Sequence, residues 1–265
     1  MTEDYIEINR KLWNDKVGIH VDSEFYDQQS FLAGKSSLKR PELDLLGDIT
    51  GKKILHLQCH FGQDTMSLSR MGGHATGIDF SEKAIEIANE TTKSLSLGTS
   101  FVCCDVYHTP AFIDQQFDIV FTSYGTIGWL PDLQKWASVI YKMLKPGGKL
   151  IFVEFHPFVF TLDEEFDFVK YFYFNKEEIV ETEEGTYAEK NAQISNKSIS
   201  WNHPISEVLQ NLIDAGLTIS RFEEYDYSPY ACFSKLVKQG EDEYRVEGLE
   251  GKLPMVYAIV ANKAE

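Results

Sequence analysis

Short apolar runs and amphipathic stretches alternate along the chain from residue 53 onward. Lys53-Ile54-Leu55-His56-Leu57 has the compact apolar character of a buried strand, and a loop over 58–62 follows it. The stretch 64–71 reads as a helix with Met66, Leu68 and Met71 as its apolar positions. Residues 75–79 form a second strand that ends on the carboxylate of Asp79. Ser81 then stands where a helix N-cap is expected, ahead of Ile85, Ile87 and Ala88. A third strand, 101–104, ends at Asp105, and a fourth covers 117–122. The amphipathic segment 133–144 is a helix closed by the breaker Lys145-Pro146-Gly147-Gly148, and 149–155 is a fifth strand. Strands alternating with helices in this way build a parallel sheet with helices on both faces. Ligands of such sheets sit beyond the carboxyl ends of the strands, near the point where the strand order reverses. Strand-end residues are therefore the ones to read for chemistry.

On either side of this core the rhythm differs. Residues 1–50 hold short helical patterns and the aromatics Tyr5, Trp13, Phe25, Tyr26 and Phe31. Pro41 opens a helix over 42–46 that Gly47 helps to end, and the whole segment reads as a helical cover. After Phe155 the alternation stops. The aromatic run 166–174, then Asn175-Lys176, then 177–182 reads as an antiparallel β-hairpin inserted over 157–200. The doubly wound pattern resumes with a helix over 204–215, ended by Gly216, and strands over 217–226 and 255–262. No repeat, low-complexity tract or linker divides the chain. Residues 1–265 read as one domain: cover 1–50, core 51–156, inserted hairpin 157–200, and the remainder of the sheet 201–265.

Composition narrows the partners. A chain of 265 residues with 43% apolar and 25% charged content can fold around a core without staples. Acidic residues number 41 against 25 basic, a net charge of −16, and no run of Lys or Arg interrupts this. Such a chain repels phosphate backbones and anionic lipid, so nucleic acid and membrane are not expected partners. Cys59, Cys103, Cys104 and Cys232 show neither metal-ligand nor disulfide spacing, which suits reduced thiols in a cytoplasmic protein. The acidic, polar N-terminus is no signal peptide, and no apolar run approaches the roughly 20 residues needed to span a bilayer. Oligomeric state leaves no mark in the pattern.

Three strand ends carry the chemistry: Leu55-His56-Leu57-Gln58-Cys59-His60-Phe61-Gly62, then Gly77-Ile78-Asp79-Phe80-Ser81, then Val102-Cys103-Cys104-Asp105-Val106. Asp79 follows Gly62 by 17 positions, and Phe117-Asp118-Ile119-Val120 with Leu144-Lys145-Pro146-Gly147-Gly148 completes the order. In these segments the chain resembles the class I S-adenosylmethionine-dependent methyltransferases, closely over 50–155 and loosely over 203–262. The resemblance implies a Rossmann-like, seven-stranded, mostly parallel sheet with its last strand antiparallel. It also implies S-adenosylmethionine as cofactor and methyl transfer to a small-molecule acceptor. Asp79 suits the two ribose hydroxyls; Asp105 suits the adenine amino group, with the Val106 N–H toward a ring nitrogen. Phe80 can stack on adenine, and Gly62 lets the backbone pass close to the cofactor. Ser123 and Tyr124 would flank the methionine part and the methyl group, with Gln58, Cys59, His60, Asp64, Ser81 and Cys104 completing the expected cofactor contacts. The family rhythm D-x-G-x-G-x-G reads His56, Gln58, His60 and Gly62 here. A dinucleotide site needs several glycines beside a pyrophosphate, whereas S-adenosylmethionine has no phosphate, so the departure weakens the dinucleotide reading more. The Leu-Gln-Cys-His-Phe-Gly loop itself is similar to that of a subgroup of these enzymes.

Each of these residues also has a bland role open to it. Gln58 and His60 line the methionine end or bond within their loop; Asp64 caps a helix or reaches the cofactor amino group. His56 reads as a satisfied interior group, and Cys103 and Cys104 as core or pocket lining on alternate strand faces. Tyr124, Trp129, Glu154 and His156 lie at or beyond the ends of the fourth and fifth strands. Tyr124, Glu154 and His156 are the catalytic candidates, the latter two as bases toward a substrate hydroxyl or amine, against hydrogen bonding within sheet and loop. His203 precedes a helix start at Pro204, and no metal is expected. Residues 163–189 hold ten Asp or Glu and two Lys among large aromatics. That insertion either walls an acceptor pocket suited to a cationic or amine-bearing molecule, or is a solvated hairpin whose charges protect its edge. Two further functions share the strand-end carboxylates: another group transfer from S-adenosylmethionine, and a non-catalytic binding module, for which the altered loop is the support.

Overall fold

Seven strands hydrogen-bond in the order β3-β2-β1-β4-β5-β11-β8 in the computed structural model, which describes residues 4–175 and 177–265. Their ranges are β1 Lys53–His56, β2 His74–Asp79, β3 Ser100–Cys103, β4 Phe117–Ser123, β5 Leu144–Phe155, β8 Leu217–Tyr225 and β11 Val256–Lys263. Strands β1 to β5 pair in parallel, while β11 runs antiparallel between β5 and β8, so the last strand is reversed as expected. The chain moves outward from β1 to β3, then returns to place β4 on the other side of β1. That reversal opens a crevice at the carboxyl ends of β1 and β4.

Local chemistry accounts for most elements. The Ser81 hydroxyl accepts from Ala84 N–H and caps α5 (Glu82–Ser94); Asp132 does the same for α7 (Leu133–Met143) through Lys135 N–H. Leu133, Trp136, Ala137, Ile140 and Met143 recur at helical spacing and bury one face of α7. They pack with Phe152 and with Leu212 of α8 (Ile205–Asp214) on one side of the sheet. The other side holds Phe121, Ile151 and Met255 against Leu45 and Leu46 of α3 (Arg40–Leu46) and Leu68 of α4 (Gln63–Arg70). The small helices α2 (Gln28–Leu32) and α6 (Thr109–Phe112) complete these flanks. Among the described residues no helix is long and apolar enough to cross a membrane.

Three expectations shift. Lys145-Pro146-Gly147-Gly148 lies inside β5 instead of before it. The register jumps from Phe117↔Leu144 to Ile119↔Lys149, so the four residues bulge out of a continuing strand. A Cβ at Gly148 would meet three backbone oxygens at 3.0–3.2 Å, which explains glycine there. The cover is built on one long helix, α1 (Tyr5–Asp22), and not only on short ones. Its buried face carries Asn9, Lys16 and His20 beside Leu12 and Val17, which breaks the apolar period. The inserted hairpin is displaced: β6 (Ile179–Glu184) pairs with β7 (Ser195–Ser200), and the connection is 185–194. The aromatic run 166–174 forms no hairpin face. Asp163 accepts from Asp167 and Phe168 N–H to make a turn, and Phe168, Phe172 and Phe174 are 60%, 82% and 75% exposed. Of the turn expected at Asn175-Lys176, Lys176 lies outside the described residues. A second hairpin, β9 (Leu236–Gly240) with β10 (Glu243–Val246), was not anticipated from the sequence.

Candidate functional site

The loop after β1 continues the sheet before it turns. Leu57 N–H donates to Phe121 O and Cys59 N–H to Ile78 O, so 57–59 stay between β4 and β2. Gln58, His60 and Gly62 all adopt left-handed backbone angles, φ +53°, +50° and +82°. These are the positions at which the family rhythm has glycine. The conformation persists although two of the three side chains are large, at a cost of about 1–2 kcal/mol each. Specific bonds offset it. Gln58 Nε2 donates to Thr126 O at 2.9 Å, and His60 N–H donates to Asp79 Oδ2 at 2.9 Å. The backbone thus takes, with two large side chains, a left-handed path that glycine adopts freely. Gly62 itself is required for a different reason from the one expected. A Cβ there would lie 2.5 Å from the Phe101 ring, so packing and its positive φ demand glycine.

A cavity of about 1010 Å³ opens over these strand ends. Gln58, Cys59, His60, Gly62, Asp64, Asp79, Phe80, Cys104, Asp105, Val106, Ser123 and Tyr124 all line it. Asp79 is buried and also accepts from Ser81 N–H at 2.9 Å; burial pushes its pKa up to about 6, against the pull of its N–H donors. Asp105 accepts from Tyr107 N–H at 2.8 Å. Gln58 lines the cavity, and its Oε1 is buried with no hydrogen-bond partner. Asp64 does not cap α4, whose N-cap is Gly62 without a side-chain bond; it takes a hydrogen bond from Ser123 Oγ at 3.3 Å instead. Burial raises its pKa. His56 is a neutral interior group, its Nδ1 2.8 Å from Thr65 Oγ1 and its pKa pushed down to about 3 by burial. Burial raises the pKa of all four thiols, so none is poised as a thiolate.

Two expected site residues fall elsewhere. Ser81 is fully buried as the α5 cap, with its hydroxyl donating to Asn14 Oδ1, and is absent from the cavity wall. His156 is also outside the wall: Nε2 lies 3.1 Å from Glu224 Oε1 and Nδ1 accepts from Phe158 N–H. Glu154 does line the cavity, but its carboxylate is spent on the loop after β4. It accepts from Gly125, Thr126, Ile127 and Phe155 N–H and from the Thr126 hydroxyl. That anchor holds Tyr124 at φ +37° and Gly125 at φ +70°, and leaves no free lone pair suited to base catalysis. His203 does not cap α8, whose N-cap is Pro204; its Nε2 lies 2.8 Å from Leu130 O, tying the helix start to the same loop. Trp129 Nε1 donates to Gly125 O, and its ring meets Trp13 edge-on at 5.4 Å.

The rest of the wall comes from the cover and the loop before β9, whose part the sequence did not reveal, and from the insertion, for which a pocket wall was one of two readings. Tyr5, Asn9 and Trp13 of α1 line it, with Ser37 and Lys39 before α3 and Tyr230 and Phe233 before β9. The insertion contributes Phe160, Tyr171, Tyr187 and the carboxylates of Asp163, Glu164, Glu181, Glu183 and Glu184. Part of that charge is already paired: Glu183 binds buried Lys16 at 2.9 Å, and Glu181 accepts from Tyr171. Asn9 clamps β7 to α1 by donating to Ile199 O at 2.7 Å and accepting from Ile199 N–H at 3.0 Å. His20 Nδ1 lies 3.0 Å from His60 Nε2, and burial drives both imidazoles well below their usual pKa. Clustered aromatics with no shared spacing, and the acidic run of the insertion, were the available signs of this wall. Among the described residues no group of three or more His, Cys, Asp or Glu forms a metal centre.

Comparison with known proteins agrees with this layout. Residues 55–152 match the family model described as a methyltransferase domain. A demethylmenaquinone methyltransferase of Lactococcus lactis subsp. lactis is 34% identical over 113 residues, covering 41% of this chain and 44% of that protein. Phosphoethanolamine N-methyltransferase 1 of Zea mays is 30% identical over 150 residues, 55% of this chain and 29% of that protein. The chain thus spans less than half the length of these curated relatives. Among solved structures, geranyl diphosphate C-methyltransferase from Streptomyces coelicolor superposes with a TM-score of 0.61 at 15% identity, covering 99% of both chains.

Proposed function

We propose, from the premise that this chain belongs to the class I S-adenosylmethionine-dependent methyltransferases, that it methylates a small, cationic or amine-bearing acceptor. Residues 1–265 are read as one such unit, with the insertion on the acceptor side. The observation that carries the reading is the composition of one cavity. Asp79, Asp105 and Gln58 line it from the sheet's strand ends, and aromatics with carboxylates of the insertion line it as well. Its volume, about 1010 Å³, stands at the upper limit of small-molecule sites, which run to roughly 1,000 Å³. That is room for a cofactor and an acceptor together.

The donor set fits the cofactor's chemistry. Asp79 would accept from the ribose hydroxyls and Asp105 from the adenine amino group. Gln58 Oε1 and Asp64 would accept from the methionine ammonium, while Lys39 and Ser37 supply donors for its carboxylate. When bound, S-adenosylmethionine supplies an activated methyl group on a positively charged sulfur. The protein's part is to orient, to exclude water and to focus negative potential on the acceptor. With Glu154 committed to its loop and His156 outside the wall, we assign no general base. An amine acceptor needs none, because its neutral form carries the lone pair. Reduced thiols fit a cytoplasmic setting.

The test is release of S-adenosylhomocysteine from S-adenosylmethionine over a panel of amine, neutral and anionic small acceptors. Transfer to an amine is expected. Turnover confined to anionic acceptors would reject the electrostatic half of the reading. Shortening the connection at 186–193 should leave cofactor affinity intact and lower transfer; unchanged transfer would remove the insertion from the acceptor side.

A further inference from the structure

We propose that Glu42, acting through Tyr124, makes the cavity favour the positively charged sulfonium cofactor over its uncharged thioether product, S-adenosylhomocysteine. The inference rests on the S-adenosylmethionine reading above and deepens it. Glu42 is completely buried on α3, one layer behind the cavity wall. Its Oε2 accepts from the Tyr124 hydroxyl at 2.9 Å, and its Oε1 has no hydrogen-bond partner. Tyr124 belongs to the wall, at the carboxyl end of β4, where the resemblance sets the methyl group. At this third helical position a carboxylate can reach back to the N-cap N–H, and Lys39 N–H does favour the charged form of Glu42; its Oε2 also takes the hydroxyl of a residue of the cavity.

The groups that face Glu42 come from every element packed on it. They are Asp64 of α4, Tyr124 after β4, Tyr230 between β8 and β9, and Lys39 immediately before α3. Lys39 is the cation of this group, and its Nζ is taken by Asp242 at 3.1 Å and lies over the Tyr230 ring. Two buried carboxyls and two phenols thus share one cation, which Asp242 also holds, an arrangement that a ligand cation relieves. Burial, then the charge of Asp64, pushes the Glu42 pKa up to about 8, with its own backbone, the Tyr124 hydroxyl and Lys39 N–H pulling the other way. The carboxyl is therefore half-ionised slightly above neutral pH. A sulfonium in the cavity favours the ionised form, and a neutral sulfur does not. Product formation removes the charge that held the carboxylate ionised, which weakens the hold on the product.

Calorimetric titration of S-adenosylmethionine and S-adenosylhomocysteine at pH 6.5 and pH 9 tests this in the full chain. In the wild type the preference for the sulfonium should grow about tenfold over that range, beyond any change seen in Glu42→Gln. The variant removes the ligands' own titration from the comparison. Tyr124→Phe takes a donor from the carboxylate and should move the midpoint of the change to higher pH. The same preference and the same pH course in wild type and Glu42→Gln would overturn the proposal. If Glu42→Gln fails to fold, an unshifted midpoint in Tyr124→Phe overturns it. Binding of neither ligand by folded wild type would instead reject the cofactor reading on which it stands.

Discussion

Asp79 and Glu154 are held by backbone N–H groups of the loops they serve, whereas Asn9, Lys16 and Tyr26 of the cover are held by partners 161 to 190 positions away. In the first region the geometry is local to strand ends and the turns that follow them. A residue's role can be read there from order and spacing. In the second, α1, the insertion and the loop before β9 meet only once the sheet has formed. Their contacts have no sequence period. On the proposed reading, the sheet edge serves the cofactor and the cover serves the acceptor.

Glu154→Ala should break the first region most. It strands buried N–H donors of the loop after β4, and about 3–5 kcal/mol of stability should go with them. Thermal unfolding would register this as a Tm roughly 10 °C lower. A loss under about 1 kcal/mol would mean that the loop holds itself.

Glu42 gives the comparison a pH axis. Its folded pKa, about 8, lies above the ordinary carboxyl value, so the folded state keeps its proton longer than the unfolded one. The contribution is full below the unfolded pKa and is lost as pH rises toward about 8. Wild-type stability should fall by on the order of 3 kcal/mol more between pH 4.5 and 8 than that of Glu42→Gln. Denaturant melts at several pH values measure it, and parallel pH courses for the two proteins would contradict it.

In the cover, Asn9→Ala leaves the Ile199 N–H and C=O without their partner and should cost about 2 kcal/mol. Hydrogen exchange should quicken at β7 while β1 stays protected, if the two regions are separable as described. Equal loss of protection in both would show that cover and sheet unfold together. The smallest effect is expected at His156→Gln, which lies outside the cavity wall: cofactor affinity should stay within about twofold. A larger loss would return His156 to the site.

The contrast also explains what could be read in advance. The parallel run of strands and the carboxylates at Asp79 and Asp105 follow from buried apolar runs ending in acids, a signal each strand carries alone; the reversed last strand was implied by the family resemblance only. Ser81 is the α5 cap that its position predicted, and it lies outside the cavity wall, a distinction that the spelling of a strand end does not carry. Glu154 lies on β5, but the preceding bulge at 145–148 hides its phase, and His156 falls just past the strand end, where alternation no longer sets direction. The hairpin was set on the aromatic run 166–174 because aromatics favour strands, yet Asp163 turns the chain there and the paired arms are the more polar segments. Glu42 gave no sign at all, since a buried carboxyl within a helix start has the same spelling as an exposed one.

The central claim is that the sheet edge is built for S-adenosylmethionine, with Asp79 at its ribose position. Calorimetric titration of S-adenosylhomocysteine into the wild type and into folded Asp79→Ala tests it most directly. One-to-one binding should appear in the wild type and weaken by about 2–4 kcal/mol, roughly 30- to 1000-fold in Kd, in the variant. Equal affinity in the two proteins, or no binding by the wild type, would contradict it.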